Sequence, residues 1–158
     1  MINSDDVTRR GAVSAIIAAG AAGAGASQAR AQSGERDELA ATEWAASVAG
    51  AMAAIAARED GGRFARVMAH GTMFAGLYAP RGEDRQTPHS RDEIYVVMSG
   101  EGEFVNDGER IRFAPGDILF VKAHKEHRFE NFSDDFATWV IFWGPEGGES
   151  DAGPAGQE

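Results

Sequence analysis

The chain has 158 residues, 43% of them hydrophobic, and a formal net charge of −10. That length supports one compact core and no second. The charge argues against nucleic acid and against an anionic membrane surface, both of which need clustered Lys and Arg. The absence of cysteine excludes disulfides, thiolate metal sites, iron–sulfur clusters and a Cys nucleophile. Any metal must be held by His, Asp, Glu, Asn or Gln.

Residues 1–31 read as an export address. Thr8-Arg9-Arg10 precedes the weakly hydrophobic GAVSAIIAAGAAGAGAS, and Ala29-Arg30-Ala31 offers a small–x–small cleavage pattern. This resembles a twin-arginine signal and implies a periplasmic or exported protein; a cytoplasmic chain with an Ala/Gly-rich leader is the alternative. The segment is too short and glycine-rich for a membrane-spanning helix, so no stable membrane insertion is expected. Residues 32–62 form a linker and a helix. QSGERDE is polar, and from Leu39 to Arg58 the chain is Ala-rich, with Trp44, Val48, Ala51, Met52 and Ile55 at helical spacing. Asp60-Gly61-Gly62 ends it.

Residues 63–145 change to strand texture. RFARVMA and TMFAGLYA are followed by the polar loop PRGEDRQTP, and then by EIYVVMS, GEFV, ERIRF, DILFV, HRFEN and ATWVIFW. Asn106-Asp107-Gly108 between alternating runs is a strong hairpin signal. Short strands with turns every eight to twelve residues predict an all-β, antiparallel sandwich or barrel. The tail 146–158 lacks an apolar stripe and is expected to be disordered.

Four histidines occur in the chain, and two stand in suggestive places. His89 is followed by Glu93 at the head of one apolar run; His127 opens another, with Asn131 four residues later. Strand alternation puts Glu93, Tyr95, Val97 and Ser99 on one side, and His127, Phe129 and Asn131 on one side of the later strand. If both sides line one barrel, His89, Glu93 and His127 converge as two imidazoles and a carboxylate. That set leaves positions open on an ion and suits Fe(II), with zinc as another user.

These residues resemble the cupin family, a small double-stranded β-helix barrel (jelly roll) with a metal inside. His89, three residues, Glu93, six residues and Gly100 match the second half of the first family motif; Thr87 stands at the position of its first histidine, and Gly82 is one residue too close. Gly116, His127 and Asn131 fit the second motif, with Lys122 in place of its proline and His124 in place of its glycine. The resemblance implies a divalent metal held by His89, Glu93 and His127, with Fe(II) foremost and Mn, Zn or Ni as alternatives. Gln86, Thr87 and Asn131 are expected as weak ligands or supports of the ligands. Tyr95, Phe129 and Trp139 are candidate pocket residues, and His124 is a candidate acid–base group against the plainer reading of an exposed loop histidine. Three ligands rather than the family's four imply a weaker, more open site.

The functional reading is a metal-dependent cupin acting on a small organic molecule, in the manner of a dioxygenase. A non-catalytic metal- or ligand-binding cupin and a sugar-isomerase type are the alternatives. ATWVIFW and IYVVM are apolar on both faces, which suits strands covered on both sides. The expected outer cover is a second copy in a homodimer, or alternatively the helix of residues 39–58.

Overall fold

The computed structural model describes residues 44–151; residues 1–31, expected to be an export signal, residues 32–43 and residues 152–158 lie outside the described residues. Among the described residues one helix, α1 (Val48–Ala56), precedes β1 (Phe64–His70), β2 (Met73–Tyr78), β3 (Asp92–Ser99), β4 (Gly102–Asn106), β5 (Glu109–Phe113), β6 (Ile118–Val121), β7 (His127–Glu130) and β8 (Ala137–Trp143). Each expected strand segment forms a strand. The helix begins later than its apolar stripe suggests. Ser47 is in an extended conformation and its hydroxyl accepts from the Gly50 N–H, which fixes the N-terminus there. Trp44 therefore precedes the helix and is 84% exposed.

The strands form two antiparallel sheets, ordered β1-β2-β8-β3-β6 and β5-β4-β7. This is the jelly-roll arrangement that the resemblance implies, within the antiparallel sandwich or barrel expected from the alternation. At the β4–β5 hairpin Asp107 and Gly108 both take positive φ, of 52° and 87°, as a two-residue turn between right-twisting strands demands. Between the sheets lies a core of Tyr95, Val97, Phe104, Phe113, Leu119, Val121, Phe129, Phe136 and Val140. The predicted sides of β3 hold. Glu93, Tyr95 and Val97 are buried, whereas Met98 on the other side is exposed.

A second cluster lies on the outer face of the five-stranded sheet. Ala51 and Ile55 of α1 pack there against Ala65, Leu77 and Ala137, with Trp139 at the margin. The helix thus covers the β1–β2 part of the outer face. Ile118 and Phe120 of β6 and Met98 of β3 remain exposed on the rest of it. The expectation of a disordered tail is corrected for residues 146–151. The Gly147 N–H donates to the Ser90 carbonyl (2.7 Å) and the Glu149 N–H to the Asp92 carboxylate (2.7 Å). Backbone donors hold this segment, so its lack of apolar residues does not leave it loose.

Candidate metal centre

Glu93 heads β3 and faces inward between two paired strands: it is opposite Val121 of β6 on one side and Phe142 of β8 on the other. His127 opens β7 in the facing sheet, opposite Asn106. His89 comes from the loop before β3. One potential ligand atom from each of His89, Glu93 and His127 lies within 4.8 Å of the others. Glu93 and His127 are buried, and the His89 side chain is 19% exposed, so the site opens to solvent on the His89 side.

Both imidazoles are oriented in the same way. His89 Nδ1 is 2.7 Å from the Arg91 carbonyl and His127 Nδ1 is 2.9 Å from the Lys125 carbonyl. A carbonyl only accepts, so each Nδ1 carries the proton and donates it. A neutral ring then presents a bare Nε2 to the interior. The His89 Nε2 is 2.6 Å and the His127 Nε2 3.3 Å from the same Glu93 oxygen, Oε2. Lone pairs so placed repel unless a proton or a cation lies among them. Glu93 Oε1 and His127 Nε2 are buried with no hydrogen-bond partner, although such atoms are normally paired. Ligand atoms on neighbouring corners around an ion bound at about 2.0–2.2 Å are roughly 3–3.5 Å apart. The His127 spacing falls within that range and the His89 spacing is shorter, and the donor set fits a divalent cation.

The protonation equilibria agree with this arrangement. Burial alone would depress the His127 pKa, but the Glu93 carboxylate and the Lys125 carbonyl outweigh it and the pKa is raised. Burial would raise the Glu93 pKa; the two imidazoles that face its carboxylate, His127 and His89, reverse the sign and lower it. In the metal-free protein a proton takes the place of a cation. Binding an ion must displace it.

The remaining expected residues divide. Tyr95 is beside the centre: its hydroxyl donates to Gln86 Oε1 (2.6 Å), and the Gln86 amide donates to Asp84 Oδ2 (2.9 Å). Gln86 is therefore a support that orients Tyr95. Asp84, which the sequence reading overlooked, also accepts from the Tyr78 hydroxyl (2.6 Å) and the Phe129 N–H (2.7 Å), pinning the loop to β7. An aspartate in a charged loop gives no signal of such a role. Phe129 is packed in the core among Tyr95, Phe104, Phe113 and Phe136. Thr87 is exposed.

Two placements are corrected. Trp139 points outward to the helix-side cluster, because Val140 and Phe142 take the inward positions on β8. The aromatic that β8 places beside the centre is Phe142, whose ring meets His89 edge-on at 4.8 Å. Asn131 leaves the alternation of β7 by taking φ of 51°; its exposed amide donates to Glu103 (2.6 Å) rather than supporting His127. His124 is exposed at φ of 67°, a conformation that a glycine would adopt freely. Only its backbone touches the centre's frame, donating to the His89 carbonyl (2.7 Å). His70, also exposed, ends β1.

Comparison with known proteins gives the same picture. Residues 76–143 match the family model for the cupin domain. An uncharacterized protein of Streptomyces coelicolor is 33% identical over 87 residues, 54% of this chain and 83% of that one. The HTH-type transcriptional activator RhaS of Yersinia pestis is 34% identical over 68 residues, 43% of this chain but only 25% of that protein. Among solved structures, a Cupin 2 conserved barrel domain protein from Salinispora arenicola is 23% identical, covering 54% of this chain and 78% of that one with a TM-score of 0.46. KdgF from Halomonas sp. is 27% identical, covering 51% and 76%, with a TM-score of 0.44. With an inward-facing His–Glu–His centre between two antiparallel sheets and the family's model matched across β2–β8, the chain belongs to the cupin family.

Proposed function

We propose that this protein is a mononuclear metal-dependent cupin that acts on a small organic molecule, with dioxygenase-like oxidation at Fe(II) as the reaction class. The observation that carries the reading is the pair of imidazoles, each locked by a carbonyl with its bare Nε2 facing one buried carboxylate. His89, Glu93 and His127 would hold the ion on one side. When bound, a ferrous ion supplies Lewis acidity, redox capacity and exchangeable positions. The chain's own residues do the rest. The Arg91 and Lys125 carbonyls fix the tautomers. Phe142 packs edge-on against His89 on the inner side, and Gln86 holds the Tyr95 hydroxyl.

Anaerobic loading with Fe(II), followed by the electron paramagnetic resonance signal of its nitric oxide adduct, tests the open coordination. Thermal-shift screening of the loaded protein against carboxylic acids, diketones and sugars then finds the ligand class, and oxygen uptake with that ligand tests turnover. Metal-dependent stabilisation without oxygen uptake would favour the second reading, a cupin that binds a ligand without transforming it. That reading is favoured by His124, whose side chain is exposed and leaves the centre without a second acid–base group, and by the similarity to a segment of a transcriptional activator.

The exposed Met98, Ile118 and Phe120 on the outer face support a homodimer through that sheet. The twin arginine of residues 9 and 10 supports export. Cell fractionation with intact-mass measurement tests it: a cytoplasmic product that starts at Met1 rules it out.

A further inference from the structure

His89 differs from its two partners in how it is held. Glu93 and His127 belong to paired strands, whereas His89 lies in the loop before β3. Its ring is set by the Arg91 carbonyl, but its backbone is fastened by segments distant in sequence. The His124 N–H donates to the His89 carbonyl, and the Gly147 N–H to the carbonyl of the next residue, Ser90, both at 2.7 Å. Both fastening segments are themselves tied to one side chain. Asp92 is 4% exposed, its Oδ1 accepts from the Ala123 N–H (3.0 Å), and its Oδ2 accepts from the Glu149 N–H (2.7 Å). A buried carboxylate with its two oxygens divided between two separate backbone segments is a clamp. Each charge-assisted bond is stronger than a neutral one.

The approach is close. A Cβ added at Gly148 would lie 2.7 Å from Asp92 Oδ1 and 3.1 Å from the Ala123 Cβ, so the tail crosses this point with no side chain. An ion pair between Arg91 and Glu146 (3.6 Å) adds a further tie beside the ligand.

We propose that Asp92 and the 145–151 segment form a strap that positions His89, and so set the affinity of the three-residue centre for its cation. This rests on the metal-binding reading above. Asp92 is a positioning residue: it touches no ligand atom and acts through the backbone around His89. Freed of the strap, the loop keeps the imidazole but samples orientations in which Nε2 misses the ion. Partners of this outer kind change metal affinity about 10- to 100-fold.

The test is titration of the full-length protein with Co(II), read by calorimetry and by the visible absorption of the bound ion. Asp92→Ala should weaken Co(II) binding at least about tenfold. Deletion of residues 145–158, which leaves Asp92 in place, should weaken it similarly, and the two changes together should do little more than either alone. In a His89→Ala background Asp92→Ala should have no further effect. A loss of thermal stability with unchanged Co(II) affinity in both single variants overturns the strap, as does an equal loss of affinity in the His89→Ala background. If the wild-type protein binds no Co(II), the metal reading fails. The strap is then judged on the metal-free protein by hydrogen exchange: Asp92→Ala should deprotect the amides of His124 and Gly147, and unchanged protection there refutes it.

Discussion

Replacing Glu93 with glutamine separates a metal ligand from a structural ion-pair partner, because the two roles predict opposite results. In the metal-free protein the Glu93 side chain is fully buried, with Oε1 unpartnered and Oε2 between two imidazole Nε2 atoms. Glutamine keeps the volume and removes the charge. It forfeits a charge-assisted hydrogen bond, worth about 1.5–3 kcal/mol, but it relieves the burial of an ion and its amide can donate to a bare Nε2. These effects nearly cancel. The metal-free variant should stay within about 1 kcal/mol of wild type. Cation binding behaves differently. At a free concentration about a hundred times Kd, a cation stabilises the wild type by roughly 2.7 kcal/mol, a rise in Tm of about 10 °C for a domain of this size. Without its anionic ligand the variant should show almost none of that rise. Thermal unfolding with excess chelator and with excess divalent cation measures both quantities. A variant that retains the wild-type rise refutes the ligand assignment. A metal-free variant destabilised by several kcal/mol would make Glu93 a structural partner of the two histidines.

The raised pKa of His127 gives a pH dependence with a definite sign. Without metal, protonated His127 stabilises the fold below its ordinary value of 6.5, and that contribution is lost as pH rises through the raised folded value. The lowered Glu93 pKa works at the other end: its contribution is present above 4.5 and lost as pH falls through the lowered value. Cation affinity should grow over the same window in which His127 loses its proton, and flat affinity there by calorimetry would contradict the displaced-proton picture. Trp139→Ala and Phe142→Ala should each cost about 2 kcal/mol by denaturant unfolding, less than a fully buried aromatic. Only Phe142→Ala should also weaken cation binding, since its ring supports His89; equal effects on affinity would place both at the centre. Phe120→Asp should convert a dimer to a monomer by light scattering, and a wild type that is already monomeric at tens of micromolar argues against the outer-face interface.

Much of the fold was legible because it rests on local rules. Asn106-Asp107-Gly108 demanded a tight hairpin, and the alternation from Glu93 to Ser99 fixed which side of β3 faces the core. Glu93 and His127 followed from the same alternation, since both sit at strand starts, whereas His89, in the loop before β3, followed from the motif spacing. What was illegible is tertiary. ATWVIFW is apolar at every position but one, so its sides could not be told apart and Trp139 was placed inward in error. Asn131 was lost to a left-handed turn that ends the alternation. The helix start depended on the Ser47 cap rather than on the apolar stripe. Asp84 and Asp92 carry the support of the centre through distant backbone N–H groups, and nothing in composition or spacing marks an aspartate for that work.

His89, Glu93 and His127 are expected to grip one cation together. The most direct test is elemental analysis of the full chain after loading with a divalent metal and removal of the excess, beside His127→Ala treated alike. The wild type should hold about one ion per chain and the variant less than about a tenth. Equal metal content in the two proteins, or none in either, would contradict that expectation.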